Sequence, residues 1–174
     1  MGDFVSRIPE GDNRERLVCT RCGFIDYRNP RVIVGSVVGH EGRVLLCRRA
    51  IEPRAGFWTL PAGFLELGET AAEGAAREAW EEARARLAVE GMLALYSIPR
   101  IGQIQILFRA RFAGPPLFAP GPETRETGLF AWNQIPWSEI AFPSLRWALA
   151  AWRERDGQPL AAPATNPPED SAFP

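Results

Sequence analysis

The chain predicts an α/β fold, and three observations carry that expectation. Short apolar, β-branched runs at residues 32–38 (VIVGSVV) and 43–47 (RVLLC), and alternating ones at 87–97 and 103–112, are strand signals. Residues 70–85 contain neither Gly nor Pro after Gly74 and are rich in Ala, Glu and Arg, which is a helix signal. Residues 144–155 (SLRWALAAWRER) are amphipathic, with Leu145, Ala148, Leu149 and Trp152 on one face, so a second helix packs on the sheet. At 174 residues, 46% hydrophobic and 24% charged, the chain can bury one domain well.

In order along the chain, residues 1–16 are polar and interrupted by Pro and Gly, so a flexible arm is expected. Residues 17–30 hold the knuckle Cys19-Thr20-Arg21-Cys22-Gly23, half of a tetrahedral zinc site by its spacing. No second cysteine pair accompanies it, and the other soft ligands, His40 and Cys47, belong to the next hairpin. A domain is expected over 31–156. It opens with strands 32–38 and 43–47, joined at His40-Glu41-Gly42, where His40 reads as an exposed turn residue. Residues 57–63 (FWTLPAG) form a short strand in which Pro61 and Gly63 turn the backbone, a way of aiming a main-chain carbonyl. Thr70 is the expected N-cap of the first helix, and Glu73 completes a capping box. Strands 87–97 and 103–112 are joined through IPRIG, a Pro/Gly loop spans 114–122, and a last strand lies at 129–132. Residues 157–174, rich in Pro and Ala, read as a disordered tail.

On the first helix Glu78, Glu81 and Glu82 stand at i, i+3 and i+4, which brings three carboxylates to one face. That arrangement costs electrostatic energy without a cation. One reading is a solvated acidic face, relieved by Arg77, Arg84 and Arg86. The other is a site for Mg²⁺ or Mn²⁺, which favour clustered oxygen ligands and keep positions open for water and phosphate.

The linear pattern favours the second. Gly63, five residues, Glu69, seven residues, Arg77-Glu78, one apolar residue, Trp80 and Glu81-Glu82 resembles the signature of the Nudix hydrolases. The resemblance implies an α/β/α sandwich around a mixed sheet and hydrolysis of a diphosphate linked to another group. It also implies that Glu78, Glu81 and Glu82 bind metal with the backbone carbonyl of Ala62, while Glu69 and Arg77 support them. A further glutamate, Glu126 first and Glu123 second, is implied as ligand or base. Phe57, Pro99, Arg100 and Gln103 are the substrate contacts suggested. The knuckle and the following Tyr27-Arg28-Asn29-Pro30 resemble the end of the zinc ribbon of a subgroup acting on FAD, ADP-ribose and NADH. Only its second cysteine pair remains, so Zn²⁺ at Cys19 and Cys22 is an open question. One position departs from the pattern: Arg84 stands where the family has a helix-ending glycine, so the helix is expected to run on or end differently.

A net charge of −1, with 20 basic residues and no lysine, offers no broad cationic field for nucleic acid or membrane. Three cysteines, with no signal-like leader or membrane-length apolar run, suggest a cytoplasmic protein. The expected function is hydrolysis of ADP-ribose or FAD to AMP and a phosphorylated fragment. The alternatives are NADH or a nucleoside triphosphate as substrate, or a nucleotide-binding sensor without turnover. Family habit makes a homodimer an expectation.

Overall fold

The computed structural model describes residues 3–167, which form two units, one ending at Pro30 and one beginning at Arg31. In the first unit, β1 (Phe4–Arg7), β2 (Arg16–Cys19) and β3 (Ile25–Asp26) form an antiparallel sheet in that order. The arm expected over 1–16 is therefore replaced, from Phe4 on, by a strand paired residue for residue with β2. Its sequence hid it because Phe4-Val5-Ser6-Arg7 does not alternate apolar with polar and all four residues are exposed, leaving backbone pairing without a buried apolar face to signal it. Asp12 fastens the connection, accepting bonds from the Asn13 N–H at 2.7 Å and the Arg16 Nε at 3.0 Å.

The second unit is built on a mixed sheet of order β10-β5-β4-β9-β8, comprising Thr124–Ala131, Arg43–Arg49, Arg31–His40, Gln103–Phe112 and Leu87–Ile98. β4 and β5 begin as a hairpin whose turn residues, Glu41 and Gly42, have φ of 48° and 72°, the double left-handed geometry that matches strand twist. They pair only at Gly39↔Val44 and His40↔Arg43 and then part. Into the split runs the segment carrying β6 (Trp58–Thr59), which pairs with β5, and β7 (Ala62–Phe64), which pairs with β4. β4 and β9 run parallel across nine positions, which makes the sheet mixed.

Alternation along the central strands sorts side chains into two layers. Val34, Val38, Leu45, Cys47, Phe108 and Phe112 face the first helix, α1 (Ala71–Ala83). Val37, Val44, Leu46 and Leu107 face the second, α2 (Pro143–Arg155), meeting Leu145, Ala148, Leu149 and Trp152. The result is a helix on each face of the sheet. Ala75, Ala79 and Ala83, all fully buried, form a row of small side chains that brings α1 close to the strands.

Two further expectations change. Arg84 does not let α1 run on: its backbone enters the left-handed region at φ 51°, and its N–H bonds the Trp80 carbonyl at 3.0 Å, so the helix stops where glycine would have stopped it. The tail expected to be disordered is held over part of its length against edge strand β8. Ala164 exchanges backbone bonds with Leu93 and Leu95, and the Asn166 amide bonds both the N–H and C=O of Ser97. An edge strand's unpaired backbone groups select a partner whatever its side chains are, which composition does not reveal. The remainder of that tail, 168–174, lies outside the described residues.

Candidate active site

α1 places the acidic residues. Its first turn is closed by the capping box: the Thr70 hydroxyl accepts the Glu73 N–H at 3.3 Å, and Glu73 accepts the Thr70 N–H at 2.8 Å. Gly74, Glu78 and Glu82 then follow one line of the helix at spacing four, on its buried side beside the alanine row. Glu78 and Glu82 are each only 8% exposed, whereas Glu81 is exposed.

Arg77 organises the entrance. Its guanidinium forms a two-pronged pair with Glu69, at 3.0 and 2.9 Å, and donates to the Phe64 carbonyl at 2.9 Å, clamping the 64–69 loop to the helix. The same group reaches Glu78 at 2.7 Å and Glu81 at 2.9 Å. Glu69, which also accepts the Glu66 N–H, is held down to about 2 by Arg77 and that bond. Glu82 instead accepts the Ala62 N–H at 3.0 Å, tying the start of β7 to the helix. Burial pushes Glu82 up to about 7, with Glu78 and Glu123 adding like-charge repulsion and Arg49 opposing it. Burial also raises Glu78, against the pull of Arg77, with Glu81 and Glu123 adding to the rise. Gly63 is required here because a Cβ would lie 2.4 Å from Glu78 Oε1.

The loop after β9 completes the wall. Its Ala119 and Gly121 N–H groups bond the Ala83 and Glu82 carbonyls at 2.8 and 2.9 Å, satisfying free acceptors at the end of α1. Contact is so close that a Cβ on Gly121 would sit 1.7 Å from the Glu81 carbonyl oxygen. Docked this way, the loop brings Glu123 to a cavity of about 200 Å³ lined by Glu78, Glu81, Glu82, Arg84, Pro122 and Glu123. Glu126 is not in that lining; it turns to Arg48 at 3.4 Å. The sequence ranked these two glutamates in the opposite order, since nothing local distinguishes them.

The other candidates lie apart from this cavity. Phe57 sits half-buried under the Arg54 guanidinium, 5.2 Å from its ring centre. Pro99 and Arg100 lie in the 3₁₀ turn Pro99–Ile101 that links β8 to β9, and Gln103 begins β9 opposite Ile98. In the first unit, the Cys19 carbonyl accepts the Gly23 N–H at 3.0 Å, and the backbone N–H groups of Cys22 and Arg21 pull the Cys19 thiol down. Cys19 is buried and Cys22 exposed.

A divalent cation can be tested against the donors themselves. Among the described residues no three His, Cys, Asp or Glu side chains are already converged as a finished cage, and Arg77 pairs with both Glu78 and Glu81. The donor set still fits a hard cation: carboxylates only, around one cavity, two of them raised by burial and mutual repulsion that a dication would relieve.

Fold and site thus define a class of α/β/α proteins in which an acidic helix is clamped over a split mixed sheet. The NUDIX domain family matches residues 28–149, and the Nudix N-terminal zinc-ribbon family matches residues 2–28. The chain belongs to the NUDIX family and is a Nudix hydrolase. A Nudix hydrolase from Nitrosomonas europaea superposes with a TM-score of 0.87 at 46% identity, covering 95% of this chain and 94% of that one. An ADP-ribose pyrophosphatase from Methanocaldococcus jannaschii is 34% identical over 120 residues, 67% of this chain and 69% of its own length. A MutT-like protein from Streptomyces ambofaciens is 40% identical over 82 residues, 47% of this chain and 51% of the relative, so that match spans about half of its length. Among the described residues no helix is long and apolar enough to cross a membrane.

Proposed function

We propose that this enzyme hydrolyses the pyrophosphate bond of a nucleoside diphosphate linked to another moiety, releasing AMP and a phosphorylated fragment, with ADP-ribose or FAD favoured. The observation that carries the reading is the meeting of Glu78, Glu81, Glu82 and Glu123 at one cavity. The kinship with an ADP-ribose pyrophosphatase supports the substrate class.

Mg²⁺ or Mn²⁺ would be held by Glu78, Glu81 and Glu82 with the Ala62 carbonyl. Bound there, the ion supplies charge neutralisation on the diphosphate and a lowered pKa for water. The protein's own part is positional. The Ala62 N–H fixes one oxygen of Glu82, leaving the other for the cavity. Arg77 links helix, loop and β7 so that the carboxylates keep their spacing. Glu123, carried on the loop docked to the end of α1, is the carboxylate placed to accept the proton of the attacking water, in preference to the Arg48-paired Glu126.

The test is a screen of ADP-ribose, FAD, NADH, CoA and a nucleoside triphosphate with Mg²⁺, analysing products. AMP release from a dinucleotide is expected, and Glu81→Gln should lower kcat by about 100-fold or more. Tight dinucleotide binding without AMP release would identify a sensor instead. Unchanged turnover in Glu81→Gln would refute the ligand assignment.

A further inference from the structure

Arg84 occupies the family's glycine position, and its backbone has the left-handed geometry that glycine adopts without steric penalty. A residue kept in that region against its preference points to a use for its side chain. Arg84 is one of the residues lining the cavity shared by Glu78, Glu81, Glu82 and Glu123, and it is the cationic residue in that lining. Among the described residues its guanidinium has no carboxylate partner. It lies 5.6 Å from the Trp80 ring centre and reaches the Trp80 carbonyl at 3.4 Å, a long bond that leaves most of its donors available. The ring of Trp80, itself 43% exposed, is flanked by Arg86 at 5.1 Å as well.

Of the other guanidiniums that act on these glutamates, Arg49 lies outside the cavity lining and donates its Nε to the Pro53 carbonyl at 2.8 Å, whereas Arg77 is fully engaged. Two carboxylates besides Glu69 and the Phe64 carbonyl occupy its donors. Among the described residues that line the cavity, a substrate diphosphate therefore meets four carboxylates and one cationic residue, Arg84.

We propose that Arg84 is a substrate-binding residue, with its planar guanidinium taking oxygen atoms of the substrate diphosphate at the mouth of the carboxylate cavity. Before substrate arrives the guanidinium rests over the Trp80 ring, which limits its swing. This inference rests on the diphosphate-hydrolase reading above and goes beyond it by assigning a cation to the substrate.

The experiment compares wild type, Arg84→Gly and Arg84→Lys in three measurements: ADP-ribose kinetics with Mg²⁺, equilibrium binding of α,β-methylene-ADP-ribose, and thermal melting. Glycine suits the left-handed backbone, so a loss of affinity in Arg84→Gly with melting at or above wild type is not a folding defect. Expected is a rise of about tenfold or more in both KM and the analogue Kd for Arg84→Gly, exceeding any fall in kcat, with Arg84→Lys intermediate because it keeps charge but not the fork. Unchanged KM and Kd in both variants would overturn the assignment. If Arg84→Gly melts below wild type, Arg84→Lys alone decides, and unchanged KM and Kd there overturn it equally. Failure of the wild type to cleave ADP-ribose or bind its analogue would instead overturn the substrate reading on which the assignment rests.

Discussion

Replacing Gly121 by alanine puts one methyl at the tightest contact in the site. Built on the present backbone, that Cβ lies 1.7 Å from the Glu81 carbonyl oxygen, with the Glu81 carbonyl carbon at 2.8 Å and the Glu82 Cα at 3.1 Å. All three are helix backbone atoms, so the loop has to lift. Lifting it endangers the Gly121 N–H bond to Glu82 and the Ala119 N–H bond to Ala83, now 2.9 and 2.8 Å. At about 0.5–1.5 kcal/mol net for each bond, the loss is about 1–3 kcal/mol. In a protein of this size each kcal/mol moves Tm by about 2–4 °C. Glu123 is carried two residues further on, so kcat should fall as well. Gly114→Ala is the control: it makes the same chemical change in the same connection, but its Cβ meets nothing within 4 Å. That variant should stay within about 0.5 kcal/mol of wild type. Differential scanning calorimetry and ADP-ribose kinetics read both effects, and identical melting of the two variants would refute the argument that the loop is held by this contact.

Three further outcomes are expected. Glu123→Gln should lower kcat by about tenfold or more while Glu126→Gln stays within about twofold, since only Glu123 reaches the cavity; equal losses in a kinetic comparison would contradict this. Glu69, held down to about 2 from 4.5, contributes stability that is complete above about pH 4.5 and is lost as pH falls towards 2. Acid titration followed by circular dichroism should therefore show Glu69→Gln with a flatter dependence across that window, and parallel curves would count against the clamp. Thr70→Ala removes the helix cap and should cost about 1 kcal/mol, read as a shift in denaturant midpoint at constant slope.

Sequence alone determined whatever local periodicity and turn chemistry control. The Thr70–Glu73 capping box, the spacing of Glu78 and Glu82 along α1, and the strand at 103–112 are properties of neighbouring residues. The hairpin at Glu41-Gly42 is another, because a Gly-containing turn separates two short apolar, β-branched runs. The α/β/α layering followed from those elements together with the Nudix-like pattern.

Tertiary structure decided where distant segments meet. Glu123 and Glu126 share a loop-to-strand segment and a residue type, and only docking on the carbonyls at the end of α1, some 40 positions away, turns one of them to the cavity. The same long-range bonding drew a strand out of the exposed residues 4–7 and set Ala164 along β8, because a backbone pairs by its N–H and C=O groups rather than by side chains that composition can count. Arg84 shows the limit most plainly: its sequence position marked a missing glycine, but its neighbours in the cavity came from residues 78–82 and 122–123, brought together only by the fold.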